Sequence, residues 1–466
     1  MIDLAIQLDS NVDSPLYEQI YLHIKKDIKE GRLVKDMRLP SSRRLSESLK
    51  VSRSTVDNAY MQLVAEGYVN AVPCKGYFVA DISLLLDNVN NGQVNSDKII
   101  KKENKPSVID FNTSGIDLSA FPFGTWRRIT KNVLSADNSA LFRLGAAKGD
   151  KTFRESIQRY LYEARGVEAS VEQIIVGAGS DYLLMLLCNI FGKMQVAVEN
   201  PAYDKASHIF EALNNTIIPV DVDDKGINVD TLEHTDADIV YVTPSHQFPT
   251  GIVMPIKRRL ELLRWAANNE KYIIEDDYDS EFRYVGRPIP SLNSVDINER
   301  VIYIGTLSRC IAPAIRMSYM VLPEKLLKIF DKKYNHFSST VSRIDQMIVK
   351  EFIDCGHFER HLNKMRQIYK IKHDTLIESI KKMETRVEIS GENSGVHIAL
   401  KVLNGMNEEE LISRAGKENV IIYPISKYIS TATNKFENTV LLGFGGLDTL
   451  QIKEGIKKLD KAWKGE

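Results

Sequence analysis

Cysteine is scarce in this chain: four in 466 residues, Cys74, Cys188, Cys310 and Cys355, with no CxxC pair among them. A chain this long builds a core without disulfide staples, so they read as reduced thiols of a cytoplasmic protein. Net charge is missing too. The 61 Lys and Arg against 62 Asp and Glu leave a formal charge of -1, so any footprint for nucleic acid must be local. No run of about 18 apolar residues occurs, and the start, Met1-Ile2-Asp3-Leu4-Ala5, has no basic stretch leading into an apolar one, so neither export nor a membrane span is expected. His and Cys nowhere take metal-ligand spacing, and no metal is expected. There is no internal repeat. What is present is an ordinary 43% of hydrophobic residues, enough for two or three globular domains.

Residues 15 to 80 carry one compact pattern. Pro15 suits a first helical turn, and Tyr17, Ile20, Ile24 and Ile28 recur at helical spacing up to Gly31. After Pro40, Ser41 caps a short helix with Leu45 and Leu49 as its apolar residues. Ser52 caps a third helix that runs to Glu66 and stops at Gly67, with Val56, Tyr60, Leu63 and Val64 on one face and Arg53, Thr55 and Asn58 on the other. Residues 68–72 and 76–79 read as a hairpin around Pro73-Cys74-Lys75. Between Arg32 and Arg53, seven basic residues (Arg32, Lys35, Arg38, Arg43, Arg44, Lys50, Arg53) stand against two acidic ones, Asp36 and Glu47. That is the local footprint hidden by the overall balance. Helix, helix, capped helix and wing is a helix-turn-helix layout, in which the start of the recognition helix reaches base edges in the major groove of double-stranded DNA. Ser52, Arg53, Thr55 and Asn58 are therefore candidate base readers, and Arg43, Arg44 and Lys75 candidate phosphate contacts.

Residues 81–108 read as a flexible linker: from Asn88 to Ser107 only Val89, Val94, Ile99 and Ile100 are apolar, and a coil of that length spans about 25 Å. Beyond it, apolar strands are expected at 174–176, 195–199, 239–243, 272–276 and 301–305, separated by helices. The fold class is α/β, a mostly parallel sheet covered on both faces. From about 385 to 466, short strands at 396–400, 420–423 and 440–444 suggest a smaller α/β subdomain within a body spanning 109–466. Gly177-Ala178-Gly179-Ser180 joins a strand to a helix, a place where backbone N–H groups cradle phosphate, or else simply a tight turn.

The strings Leu39-Pro40-Ser41-Ser42-Arg43-Arg44-Leu45-Ser46 and Val51-Ser52-Arg53-Ser54-Thr55-Val56 resemble the winged helix of GntR-type bacterial regulators. From Phe121 on, the chain resembles fold-type-I aminotransferases. The landmarks are Phe121-Pro122-Phe123 before Trp126-Arg127-Arg128, then Arg154, Arg165-Gly166-Val167, Gly177-Ala178-Gly179-Ser180, Thr243-Pro244-Ser245-His246-Gln247-Phe248-Pro249-Thr250-Gly251, and Glu275-Asp276-Asp277-Tyr278-Asp279-Ser280-Glu281-Phe282. The fusion as a whole resembles the MocR or GabR class. That resemblance implies a site for pyridoxal 5'-phosphate: Gly179, Ser180, Ser308 and Arg316 at its phosphate, Asp276 at the pyridine nitrogen, Tyr278 at the ring hydroxyl and Tyr203 against the ring face. It also implies a small-molecule effector and a domain-swapped homodimer.

Three positions depart from the family pattern. Arg309 stands where the family carries its Schiff-base lysine, and a guanidinium has no lone pair with which to attack an aldehyde. No arginine accompanies Val440-Leu441-Leu442-Gly443-Phe444-Gly445-Gly446, where one would fork onto a substrate carboxylate. Lys205 replaces a second ligand-binding arginine. The expectation is a regulator without a catalytic residue, binding an effector through Lys205 and Arg309. Its cofactor, if any, is held non-covalently or replaced by another anionic ligand. The alternatives are an active aminotransferase with a DNA-binding appendage, and a regulator whose vestigial pocket serves only dimerisation.

Overall fold

A computed structural model of the chain describes residues 6, 8, 14–73, 75–81, 108–284, 289–431 and 434–464. Apart from its two end residues, the expected linker lies outside these, as does Cys74. The chain divides into two compact units, Met1–Glu103 and Asn104–Glu466. Among the described residues no helix is long and apolar enough to cross a membrane.

In the first unit the local signals dictate the elements. Helix α1 (Leu16–Lys29) starts one residue after Pro15, which is its N-cap rather than part of its first turn; α2 (Ser42–Leu49) and α3 (Arg53–Ala65) follow. Strands β1 (Val69–Val72) and β2 (Gly76–Val79) pair antiparallel as a hairpin. Ile20, Ile24 and Ile28 of α1 meet Leu45 of α2 and Val56, Tyr60 and Leu63 of α3 in one core that Val69 and Val79 close. Most polar residues of this small unit face outward, and the buried Asp27, Ser42 and Ser46 lie at the edge of this core.

The second unit is built on an eight-stranded sheet. In chain order its strands are β3 (Ile174–Gly177), β4 (Gln195–Asn200), β5 (Thr216–Asp223), β6 (Gly226–Ile227), β7 (Ile239–Val242), β8 (Tyr272–Asp277), β9 (Val301–Thr306) and β10 (Ser318–Val321). Across the sheet the order is β3-β10-β9-β8-β7-β4-β5-β6. The run β9 to β5 is parallel, whereas β10 lies antiparallel between β3 and β9. Sequence reading misses β5, β6 and β10. Pro219 interrupts the apolar pattern of β5, and the two-residue β6 is too short to show a period.

Helices cover both faces, as near-continuous apolar strands require. On one side Leu183 and Leu187 of α4 (Ser180–Phe191) pack with Val196, Val198, Ile304 and Met320. On the other, Leu262, Trp265 and Ala266 pack with Val240, Val242 and Ile273.

A second, four-stranded antiparallel sheet follows: β11 (Val387–Ser390), β12 (His397–Val402), β13 (Tyr423–Pro424) and β14 (Thr439–Gly443), in the order β11-β12-β14-β13. Its core also takes in Ile109 and Phe111, because Ile109–Asp110 pairs in parallel with Val420–Ile421. The beginning of this unit is thus folded into its end. Gly251 (φ +72°) touches Gly391 so closely that a Cβ on Gly251 would lie 2.2 Å from the Gly391 Cα. Any side chain at position 251 would force the two backbones apart.

Candidate functional site

In the first unit the two serine caps form as expected. Ser41 Oγ accepts from the Arg44 N–H at 3.3 Å, and Ser52 Oγ from the Thr55 N–H at 3.2 Å. Ser52 Oγ also lies 2.7 Å from Thr55 Oγ1, so these two hydroxyls are engaged with each other at the start of α3. Arg43, Arg44, Ser52, Arg53, Asn58 and Lys75 are exposed and Thr55 is half-buried. Arg43 pairs with Glu47 at 3.1 Å and Arg53 with Asp57 at 3.6 Å. Such exposed pairs are weak and a phosphate or base edge can replace the carboxylate. Arg32 and Lys35, also more than half exposed, pair with Asp27 and Asp81 at 2.5 and 2.6 Å.

In the second unit every residue named as a cofactor or effector contact lines one cavity of about 300 Å³: Gly179, Ser180, Tyr203, Lys205, Asp276, Tyr278, Ser308, Arg309 and Arg316. Topology brings them together. Each follows or ends one of the strands β3, β4, β8 and β9, apart from Arg316, which closes the turn into β10. The carboxyl ends of parallel strands are where α/β sheets open a crevice.

Strand alternation explains how three consecutive acids, Glu275, Asp276 and Asp277, serve different purposes. Asp276 faces the cavity and accepts a short hydrogen bond from the Tyr241 hydroxyl. Burial pushes its carboxyl up to about 6, against the lowering effect of that bond. Glu275 accepts from the Leu292 and Asn293 N–H groups at 2.7 and 2.8 Å, and burial pushes it up to about 7. Asp277 is held by Arg165 Nε at 2.7 Å and the Tyr303 hydroxyl at 2.5 Å. Arg165 also donates to Ser245 Oγ and the Ile289 carbonyl. This arginine is therefore a structural anchor beneath the cavity.

The positive side chains differ in how they are held. Asp181 Oδ2, in the first turn of α4, receives both Lys205 Nζ at 2.5 Å and Arg316 Nη2 at 2.9 Å. A Cβ on Gly179 (φ +93°) would lie 2.7 Å from Arg316 Nη2, so glycine is needed there for both its backbone angle and the approach of the guanidinium. Arg316 itself sits at φ +48°, an uncommon angle for a residue with a side chain. Arg309 donates from Nη1 to the Thr113 carbonyl at 2.9 Å, and its guanidinium carbon is 5.8 Å from the centre of the Tyr278 ring. It does not pair with Asp276, the partner its charge would suggest. Tyr278 donates to the His246 carbonyl at 2.9 Å, and burial pushes its hydroxyl well up. Tyr203 packs edge-on to Phe248 at 5.8 Å between ring centres.

This geometry has relatives. Residues 16–79 match the family of bacterial regulatory proteins, gntR family, and residues 107–436 match aminotransferase class I and II. Over 467 aligned residues the chain is 42% identical to the HTH-type transcriptional regulator YdeL of Bacillus subtilis (strain 168), covering 99% of this chain and 100% of the relative. The rhizopine catabolism regulatory protein MocR of Rhizobium meliloti is 28% identical, over 98% of this chain and 95% of that protein. The chain belongs to the MocR-type HTH transcriptional regulators, a gntR-family domain fused to an aminotransferase-like domain. The second unit is also similar to the multiple substrate aminotransferase of Thermococcus profundus, with a TM-score of 0.69 and 26% identity, covering 78% of this chain and 92% of that one.

The regulator's cavity includes residues that sequence reading did not single out: Thr113, Ser114, Asp181, Tyr241, Thr243, Phe248, Thr306, Pro313 and Tyr428. Tyr241 looks in sequence like one more apolar strand residue. Thr113 and Tyr428 come from opposite ends of the unit and are adjacent only because residues 109–111 fold against the last sheet. Asp181 had a legible signal, an acid in the first turn after a glycine-rich junction, and Thr243 and Phe248 lie within a family landmark without having been given a role there.

Proposed function

We propose that this regulator reads operator DNA through α2, α3 and the wing, and responds to an anionic small molecule held in the cavity without a covalent bond. The observation that carries the reading is Arg309, which lines the cavity together with Gly179, Ser180, Asp276, Tyr278 and Arg316. The residues present fit pyridoxal 5'-phosphate. Gly179, Ser180, Ser308 and Arg316 would hold the phosphate, the glycine leaving room that a side chain would fill. Asp276 would face the ring nitrogen, Tyr278 the ring hydroxyl and Tyr203 the ring face. When bound, this group supplies an electrophilic aldehyde on an electron-withdrawing ring. Arg309 has no lone pair to give to such a carbon, so it orients and attracts anions but does not react.

Lys205, the one lysine among the described residues that line the cavity, is engaged by Asp181. Ligand binding is therefore read out as a change in operator affinity rather than as turnover. The regulator acts as a homodimer in the cytoplasm, with the winged helix of one subunit working beside the body of the other, so that two readers engage two half-sites.

The test is to load the purified full chain with pyridoxal 5'-phosphate, reduce it with borohydride and weigh it. Unchanged mass together with a raised Tm is expected, and Arg309→Lys should acquire the mass of one cofactor. A reduced adduct on the wild-type chain, at Lys205 or elsewhere, sinks the reading. If instead pyridoxal phosphate leaves Tm unmoved, another anion occupies the cavity.

A further inference from the structure

We propose that His246, Asp279 and His397 form a binding site for a divalent transition-metal ion of the Zn²⁺ class, buried behind the wall of the ligand cavity. The three come from distant places. His246 lies in the loop after β7, Asp279 just beyond β8, and His397 opens β12 of the second sheet. Each is 1% exposed, and one ligand atom from each lies within 4.8 Å of the other two. Sequence spacing could not reveal the group, because nothing local links its members.

The hydrogen bonds that are made define what is left over. His246 Nδ1 faces Asp279 Oδ2 at 2.9 Å and lies 3.1 Å from the Tyr278 hydroxyl, so it is through Nδ1 that His246 meets Asp279. His397 Nε2 faces the Pro249 carbonyl at 3.2 Å, so it carries its proton and Nδ1 keeps the lone pair. His397 Nδ1 and Asp279 Oδ1 are buried and without a hydrogen-bond partner among the described residues. Two buried acceptors without a donor, beside an imidazole nitrogen already turned to the carboxylate, make an arrangement that a cation satisfies. An ion between His246 Nδ1 and Asp279 would replace the proton they share, His246 keeping its proton on Nε2 instead, and His397 Nδ1 would complete a donor set of two neutral imidazoles and a carboxylate that Zn²⁺ accepts.

The backbone is cut away to allow this packing. A Cβ on Gly395 (φ +76°) would lie 2.0 Å from His246 Cε1 and 2.8 Å from Asp279 Oδ2, so only glycine fits against the pair.

The position of the site suggests its use. Tyr278, a cavity residue, hydrogen-bonds the His246 carbonyl, and the Phe248 ring, another, lies 5.2 Å from the His397 ring. An ion held here would tie β12 to the loops after β7 and β8, and fix two side chains against which the ligand rests. Metal occupancy would then tune ligand affinity without the ion touching the ligand.

The experiment uses the full chain, stripped with chelator and dialysed against Zn²⁺ or Co²⁺. Expected results are one ion per chain by elemental analysis after desalting, a higher Tm, and a Co²⁺ absorption spectrum of low coordination number. His397→Gln should lose the bound ion and the Co²⁺ spectrum while keeping operator binding, which reports that it folds. Should that variant fail to fold, the wild-type measurement still decides. A stripped wild-type chain that takes up no ion, or a folded His397→Gln chain that binds as much as wild type, overturns the proposal.

Discussion

The two units of this regulator use charge in opposite ways. In the first, Arg43 and Arg53 stand 81% and 71% exposed beside single carboxylates. In the second, Arg165 and Asp277 are 4% and 1% exposed and lie 2.7 Å apart, with Glu275 and Asp276 buried beside them. An exposed cation contributes little to folding and remains available to a partner; a buried one holds the interior together and is available to nothing else. The lesson is that abundance of charge says little about role until burial is known.

Four measurements bear on this contrast. Arg165→Met should have the largest effect, because it leaves Asp277 buried without its counter-charge. A loss of about 3–5 kcal/mol in urea denaturation is expected, and a loss below about 1 kcal/mol would show that the pair is not what secures the cavity floor.

Asp276→Asn tests the buried carboxyl by pH. Its folded value of about 6 lies above the ordinary unfolded value, so the folded state binds the extra proton and stability falls as pH rises from about 4 to about 6. The variant lacks that fall. Relative to wild type it should gain about 2–3 kcal/mol between pH 4 and pH 8 in matched thermal melts, and a parallel pair of curves would contradict the assignment.

Arg53→Ala should leave Tm within a degree or two while weakening cognate operator binding by about 1–3 kcal/mol. Arg43→Ala should have the smallest effect, a uniform weakening on all sequences with the salt dependence reduced by about one ion; sequence-selective weakening would make Arg43 a base reader instead.

Legibility in the sequence followed the distance over which each feature is made. The first unit could be read almost to the residue, because caps at Ser41 and Ser52 and the spacing of Ile20, Ile24 and Ile28 act within a turn or two. The central strands could be read from their continuous apolar runs, but β5, with Pro219 in its middle, and β10, which opens on the polar Ser318, could not. Within the cavity, residues carried by motifs were legible. Tyr241, which bonds Asp276, and Thr113, which receives Arg309, were not, since sheet pairing and chain closure put them there.

The hold on Arg309 has one more consequence. Lys205 and Arg316 converge on a single resident carboxylate, Asp181, so an anion approaching either must displace or share a counter-ion already in place. Arg309 is turned to a backbone carbonyl, a dipole without formal charge. An anion arriving there exchanges a neutral partner for a charged one, and gives up no ion pair in doing so. An anion recognised near Arg316 would therefore be selected by fit, whereas at Arg309 the sign of its charge would itself be the discriminating quantity.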